Sequence, residues 1–191
     1  MKSSVLLLLV VLAGCMAQPT VTSWLDPVSV ATITAQREPL VLVAQTSSSR
    51  RVLARKFAHL TAIEVNRMGN RRLYLAIIPR MPGEFTPQQQ AALESSFEEV
   101  EIRIEDRPVV LTRYTGSAVE LGIGEPALLP IYGSTPIYFP VERAVLRAMV
   151  DSSQVELAAL GVPGKPQLYQ GRSDGRHSLD EFVSQLPEVA L

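Results

Sequence analysis

Thiols are almost absent from this chain, since Cys15 is the only cysteine among its 191 residues. A disulfide within the chain is therefore excluded, and so is a metal site built from several thiolates. Small exported domains often use disulfides when their hydrophobic cores are thin. If this domain is exported, its stability has to come from its core.

Histidines are scarce, and several familiar catalytic motifs are missing. His59 and His177 are far apart in the sequence and stand in no metal-ligand spacing such as His-x-x-x-His. The Ser-x-x-Lys pattern is absent, and Gly122-Ile123-Gly124 lacks the third glycine of a dinucleotide-binding loop. We therefore expect no enzymatic activity, no cofactor and no metal site.

A single long apolar run is present, and it lies near the N-terminus. Lys2 precedes the unbroken Val/Leu stretch from Val5 to Leu12, which is too short to span a bilayer and is typical of a signal peptide. The segment Leu12-Ala13-Gly14-Cys15 then resembles the lipobox of bacterial lipoproteins. The match covers only the start of the chain, so it indicates a location and no activity.

The lipobox resemblance implies a specific processing route. Residues 1–14 would be removed as a signal peptide, a diacylglycerol would be attached to the Cys15 sulfur, and the new amino terminus would be acylated. Met16 and Ala17 include no aspartate, which in lipoproteins of the Gram-negative type tends to mark inner-membrane retention. The resemblance thus favours the outer membrane, with the domain facing the periplasm. The alternative is an ordinary secretory signal cut after Ala17, with Cys15 incidental.

Downstream of the signal, the sequence predicts one soluble domain on a short tether. Residues 15–23 form the lipidated tether, and residues 24–191 form a single periplasmic globular domain. No second apolar run approaches the roughly 20 residues of a transmembrane helix. Trp24, the only tryptophan, is expected to pack in the core or at its edge.

The first half of the domain reads mainly as strands. Val28–Gln45 predicts two strands interrupted at Glu38-Pro39, and Gly69-Asn70 has the chemistry of a hairpin turn because both residues tolerate positive φ. Pro79 and Pro82 are expected to end the second hairpin strand.

The second half mixes helices with short strands. Thr86-Pro87 predicts a helix start, with Gln89 closing a capping box. A strand ending near Ile104 is expected to turn at Asp106-Arg107-Pro108, and Ser178 is expected to begin a final helix capped with Glu181. These segments predict an α+β or mainly β fold, an antiparallel β-sandwich-like domain with two or three short helices.

Charge is distributed unevenly along the chain. Arg37–Arg80 holds nine basic residues against two acids, whereas Met81–Asp106 holds seven acids against one arginine. One interpretation is a basic face that meets anionic lipid or cell-wall polymer. Its contacts would be Arg50, Arg51, Arg55, Lys56, Arg71 and Arg72. The other interpretation, which we favour, is that the two segments neutralise each other across a sheet or are simply solvated.

Together these observations predict a membrane-anchored envelope lipoprotein with a non-catalytic binding or interaction domain. Its partners would be the membrane, through the N-terminal lipid, and an envelope protein; the compartment excludes nucleic acid. Two alternatives stay open. One is an envelope hydrolase whose site is not visible in the sequence, and the other is a protein that binds a lipid or cell-wall surface.

Overall fold

The computed structural model describes residues 19–45, 56–81, 86–105, 107–124, 135–162, 164–173 and 175–187. Cys15, the predicted signal peptide and Arg50, Arg51 and Arg55 lie outside these ranges, so the predictions made for them are not addressed by the fold. Within the described residues, no helix has the length and apolar character needed to cross a membrane.

The described chain forms ten strands and four short helices. The strands are β1 (Val21–Leu25), β2 (Thr32–Gln36), β3 (Leu40–Ala44), β4 (Phe57–Arg67), β5 (Asn70–Arg80), β6 (Glu99–Ile104), β7 (Arg107–Thr112), β8 (Ile137–Pro140), β9 (Val155–Ala159) and β10 (Gln167–Ser173). The helices are α1 (Pro87–Ser95), α2 (Ala118–Leu121), α3 (Arg143–Asp151) and α4 (Arg176–Gln185).

All ten strands belong to one antiparallel sheet. Its order is β1-β2-β4-β3-β10-β9-β6-β7, with β5 beside β4 and β8 beside β5. Strand β4 is long enough to pair with β5 along one edge and with both β3 and β2 along the other. The sheet curls so that two of its edge strands, β7 and β8, meet: the Tyr114 amide of the chain leaving β7 donates to the Tyr138 carbonyl of β8 at 2.8 Å.

Two apolar clusters lie on opposite faces of this sheet. The larger one joins inward side chains from both halves of the curled sheet with α1, α3 and α4, and it includes Leu60, Phe97, Tyr169 and Phe182. The smaller one lies on the outer face of β2, β4, β5 and β8, where α2 and the half-buried Trp24 cover it. The predicted fold class is therefore confirmed: an α+β, mainly β domain whose halves enclose a core like the sheets of a sandwich.

The long β4–β5 hairpin was predicted correctly, but its turn lies one residue earlier than expected. Arg67 pairs with Asn70, so the two loop residues are Met68 and Gly69, with φ of 50° and 89°. Positive φ at both positions matches the right-handed twist of a two-residue hairpin. Pro79 does not end β5. It pairs with Ala58 beyond the last residue that β8 reaches, where its missing N–H removes no ladder bond.

The first described residues are joined to the last helix by an arrangement that the sequence did not predict. The buried Ser178 hydroxyl donates to the Thr20 carbonyl at 2.7 Å and accepts from the Glu38 amide at 3.2 Å. The Thr20 hydroxyl in turn donates to Glu181. Strand β1 therefore begins at Val21, inside the segment assigned to the tether, because this polar contact fixes the chain from Thr20 onward.

The same contacts correct the prediction for the last helix. Helix α4 begins at Arg176, and its N-cap Gly175 makes no side-chain cap bond. Ser178 and Glu181 do not form the predicted capping box because both side chains are bonded to the N-terminal segment instead. The capping box of Thr86 and Gln89 at α1 is confirmed. Strand β7 already starts at Arg107, so the predicted turn at Asp106-Arg107-Pro108 is shorter than expected.

Four helices are present where two or three were expected. The one missed is α2, a single turn in the Gly/Pro-rich connection between β7 and β8. Ser117 and Glu120 form its capping box, and Gly122 ends it in the left-handed conformation. So short a helix carries too little apolar periodicity to be seen in a sequence.

Candidate functional site

The predicted basic contacts do not form one surface in the described part of the chain. Lys56 precedes β4, whereas Arg71 and Arg72 lie near the turn of the β4–β5 hairpin. Arg72 pairs with Val65, so about nine strand residues, roughly 30 Å, separate it from Lys56. Arg71 and Arg72 also lie on opposite faces of β5. Arg71 contacts the buried Glu64 carboxylate at 3.6 Å.

The favoured interpretation allowed two arrangements, and the first of them, in which the basic and acidic segments neutralise each other across a sheet, is not seen among the described residues. There, no ion pair joins the two segments. The acids of the second segment pair close by instead: Glu98 with Arg113 at 2.6 Å and Glu101 with Arg103 at 2.5 Å. The reason is topological, because β9, β10 and β3 lie between β6 and β4.

The largest concavity that we find in the described part is a groove of about 630 Å³ at the seam where β7 and β8 meet. Its lining comes from β5, β7, the end of β8 and the start of α3, and we call it the seam groove. The apolar lining includes Val109, Leu111, Val141 and Val145, and charged Arg72 and Glu142 also line it. Tyr74 and Tyr114, in edge-to-face contact with centroids 6.4 Å apart, complete one wall.

One side of the seam groove is an unpaired strand edge. Strand β7 is bonded to β6 along its length, and among the described residues its other edge is joined to β8 only through Tyr114. Backbone groups of successive strand residues point to opposite edges. The Arg113 amide donates to Glu98 on the β6 side and the Tyr114 amide donates to β8. Val110 and Thr112 therefore present their N–H and C=O groups to the seam groove.

The row of exposed backbone donors ends at Pro108. This residue has the same orientation as Val110 and Thr112, and it has no N–H to offer. Chain leaving β8 at Pro140 turns into α3 instead of continuing beside β7. The seam groove is thus about as long as a short extended peptide, with two donors and their carbonyls along one side.

A second cavity of about 370 Å³ lies beside α1 at the opposite end of the sheet. Lys56 and Lys165 line it together with Leu93, Val162 and other residues. A third, smaller cavity of about 300 Å³ is polar and lies against β6 and β9. Among the described residues, no group of three or more His, Cys, Asp or Glu side chains is placed to hold a metal ion.

Two titratable side chains of β4 are perturbed, and they lie on opposite faces of the strand. Burial lowers the pKa of His59, and the nearby Arg80 lowers it further. Burial raises the pKa of Glu64, with Arg71 opposing that shift. Neither residue lines any of the three cavities. Among the residues that the structure describes, these cavities therefore hold no pair of perturbed groups of the kind that is typical of an active site.

The His59 shift predicts an acid-sensitive step in stability. A depressed folded pKa favours the neutral imidazole, so its contribution is present above pH 6.5 and is lost as the pH falls through the lower folded value. Between pH 6.5 and the lower folded pKa, the free energy of unfolding should therefore fall as the pH falls. We expect urea unfolding of the His59→Gln variant to show a smaller dependence on pH in this range. His177→Gln, at an exposed position, is the matched control. An NMR titration of His59 with a midpoint at or above 6.5 would contradict the prediction.

One catalytic pattern outside the sequence-based candidates occurs at Gly171–Gly175, which reads Gly-x-Ser-x-Gly. In α/β-hydrolases the serine of this pattern lies at a strained turn between a sheet strand and a helix, above a mostly parallel sheet. Here Ser173 ends β10, which is antiparallel to both of its neighbours, β3 and β9. His177, the histidine nearest in sequence, contacts Glu181 at 3.4 Å on the exposed side of α4. The sheet around Ser173 therefore differs from the mostly parallel sheet in which this pattern carries a catalytic serine.

Comparison with known proteins adds no relative. No protein-family model, no curated protein and no solved structure matches this chain. The geometry of the seam groove is accordingly the basis on which it is the candidate functional site.

Proposed function

We propose that this protein is a lipid-anchored envelope protein whose domain binds an extended segment of a partner protein in the seam groove and catalyses no reaction. The observation that carries the proposal is the unpaired edge of β7 beside an apolar trough. Peptides commonly bind by adding a strand to such an edge: backbone bonds supply affinity, and alternate side chains enter pockets.

The groove chemistry suits an extended peptide in particular. Val110 and Thr112 offer both donors and acceptors, which an acyl chain would leave unsatisfied. The apolar lining from β7 and α3 provides places for alternate apolar side chains. Arg72 and Glu142, of opposite charge, are able to fix the direction of a peptide that carries complementary charges.

The main alternative functions have less support. A hydrolase would need titratable groups converging in a cavity, and His59 and Glu64 lie on opposite faces of β4 outside all three cavities. A single basic surface for cell-wall polymer would need the described cations together, and Lys56 lies far from Arg71 and Arg72. The lipid anchor itself rests on the lipobox resemblance at Cys15.

A pair of variants at Val110 tests the groove. Val110→Pro removes a groove-facing N–H but no bond to β6, whereas Val110→Ala keeps the N–H and removes most of the side chain. Peptides are first selected from a displayed random library on the chain from Pro19 onward, once a cooperative melt shows that this chain folds. We expect the selected peptides to have alternating apolar residues. Their affinity should fall about tenfold in Val110→Pro, which is roughly the free energy of one or two backbone bonds. In Val110→Ala it should fall much less.

Amide hydrogen exchange supplies the second readout. Bound peptide should slow exchange at Val110 and Thr112 and leave the β6-facing amides of β7 unchanged. If no selected peptide is weakened by Val110→Pro, the proposal is wrong. If laurate instead shifts the same NMR resonances and binds equally to both variants, the seam groove takes an acyl chain.

A further inference from the structure

Four exposed apolar side chains lie at the end of the sheet opposite Lys56. Leu25 ends β1, Val28 and Val30 lie in the β1–β2 turn, and Met68 lies in the β4–β5 turn. Leu25 pairs with Thr32, which pairs with Asn66, so both turns project from the same end. Their exposed fractions are 63%, 60%, 69% and 105%. We call these four residues the apolar tip.

Two residues of the apolar tip have a backbone conformation that their side chains disfavour. Val30 has φ of 57° and Met68 has φ of 50°. Glycine and asparagine adopt this left-handed region readily, whereas a β-branched valine is a clear outlier there. Neither side chain is buried, so packing within the chain does not compensate for the strain. Folding alone leaves the choice of valine and methionine unexplained, and strain of this kind often marks functional sites.

The apolar tip is held rigidly. The Asp26 carboxylate is fully buried and accepts from the amides of Val28 and Ser29 at 2.9 and 2.8 Å. Its other oxygen accepts from the Gly124 amide at 2.7 Å, which ties the β1–β2 turn to the chain after α2. On the second turn, the Gly69 amide donates to the Asn66 side chain at 3.0 Å. Turns whose backbone is already fixed lose little further backbone entropy on binding.

Arginines stand directly behind the apolar tip. On β4, Arg67 directly precedes Met68. On β5, the hairpin carries Arg71 and Arg72 shortly after the turn. Long basic side chains of this kind keep their charge at the level of phosphates while their stems lie along apolar surface. The buried Glu64 carboxylate lies beside Arg71 at 3.6 Å, and Arg67 donates to the backbone carbonyl of Glu120 at 3.4 Å. Because Glu64 offsets part of the positive charge, apolar contact should contribute more than ionic attraction.

The proposed anchor lies within reach of the same end. Strand β1 runs from the fixed Thr20 towards the apolar tip, and Leu25 is about 17 Å from Thr20 along the strand. Cys15 precedes Thr20 by five residues, which span at most about 18 Å when extended. When fully extended, these five residues bring a lipidated Cys15 to the level of Leu25, the residue of the apolar tip nearest to Thr20, so the lipid and the tip would meet one surface.

From these observations we propose that the apolar tip inserts into the surface of the phospholipid bilayer, orienting the domain on the membrane. The inference uses only the lipid anchor from the proposed function and is independent of the seam groove. Apolar contact and lipid chains act together in interfacial binding.

A fluorescence measurement on the whole lipoprotein tests the orientation. Met68→Cys gives one free thiol when Cys15 is lipidated, and Val162→Cys, at the opposite end of the sheet and 46% exposed, is the matched control. Each is labelled with an environment-sensitive dye after reconstitution into phosphatidylcholine vesicles containing some phosphatidylglycerol. We expect a blue-shifted emission that lipid-borne quenchers reduce at position 68 and a water-like emission at position 162. Equal, water-like emission at both positions would overturn the proposal.

A double variant separates membrane insertion from folding. Val30→Asn with Met68→Asn places a residue suited to positive φ at both turns, so the melting temperature should stay the same or rise. Binding to the same vesicles is measured with the chain from Pro19, which lacks Cys15. In this chain the double variant should bind about tenfold more weakly than the parent, because two apolar side chains are lost. Val162→Asn should bind like the parent chain.

Each other outcome of the vesicle experiment counts against the proposal. Equal binding by the parent chain and the double variant, or no binding by either, contradicts insertion of the apolar tip. Concentration-dependent self-association of the parent chain without vesicles, abolished in the double variant, would assign the apolar tip to a second copy of this chain. If the anchor is absent, Cys15 keeps a free thiol and takes up a second dye, so failure of the anchor would be seen separately. Val110→Pro, which changes the seam groove, should leave vesicle binding unchanged.

Discussion

Cys15→Ser is expected to abolish the incorporation of labelled palmitate completely. The sulfur of Cys15 is the only thiol in the chain and hence the only atom to which a thioether-linked diacylglycerol could be attached. Several acyl chains, at about 0.8 kcal/mol per buried methylene, make the attachment of the protein to the membrane nearly irreversible. The difference in label between the parent protein and Cys15→Ser should be all or none, because the acyl chains are bonded covalently. Metabolic labelling followed by intact-mass measurement of the purified protein checks this.

Met16→Asp is the control that keeps the thiol. The lipobox resemblance implies that this variant is still lipidated but is retained in the inner membrane, where density-gradient fractionation should find it. Label that persists in Cys15→Ser, or a mature chain that starts after Ala17, would support an ordinary secretory signal instead.

Asp26→Ala is expected to destabilise the domain by about 3–5 kcal/mol. The buried carboxylate accepts from the amides of Val28, Ser29 and Gly124, and its removal leaves several donors without a partner at a cost of about 1–3 kcal/mol each. Urea unfolding of the chain from Pro19 measures the change. Asp26→Asn should lose less, because one amide oxygen still accepts from the β1–β2 turn.

An exposed aspartate supplies the comparison for Asp26. Asp151 lies at the end of α3 and contacts Arg147 at 3.8 Å with most of its side chain in solvent. Asp151→Ala should change the free energy of unfolding by less than about 1 kcal/mol. A loss of similar size in both variants would show that the buried Asp26 bonds are not special.

Local patterns predicted the elements where their signal was strong. Thr86, Pro87 and Gln89 start α1 as expected, because capping depends on residues a few positions apart. The β4–β5 hairpin was predicted from Gly69, although the turn includes Met68 in a conformation that methionine rarely adopts. The capping box expected at Ser178 is wrong for a different reason: its hydroxyl is bonded to Thr20, more than 150 positions away, which no local pattern reports.

The candidate sites depended on pairings that are distant in sequence. The seam groove exists because β7 and β8 meet at only one backbone bond. The backbone groups of Val110 face the groove because the amide bonds of Arg113 and Tyr114 fix which edge of β7 each residue faces. The apolar tip exists because β2 pairs with β4, which brings two turns to one end. In the sequence, Val30 and Met68 are merely two apolar residues in separate loops.

The sequence by itself determined the fold class, the lack of any internal disulfide, and the lipobox from which we infer an anchor at Cys15. Those features follow from alternation, capping and residue counts, which act over a few positions. Only the tertiary structure decided that Lys56 lies about 30 Å from Arg72. Among the described residues, it also decided that the basic and acidic side chains pair separately and that β7 has a free edge. Strand order decides these distances, and strand order arises from the burial of one shared core by segments far apart in the chain.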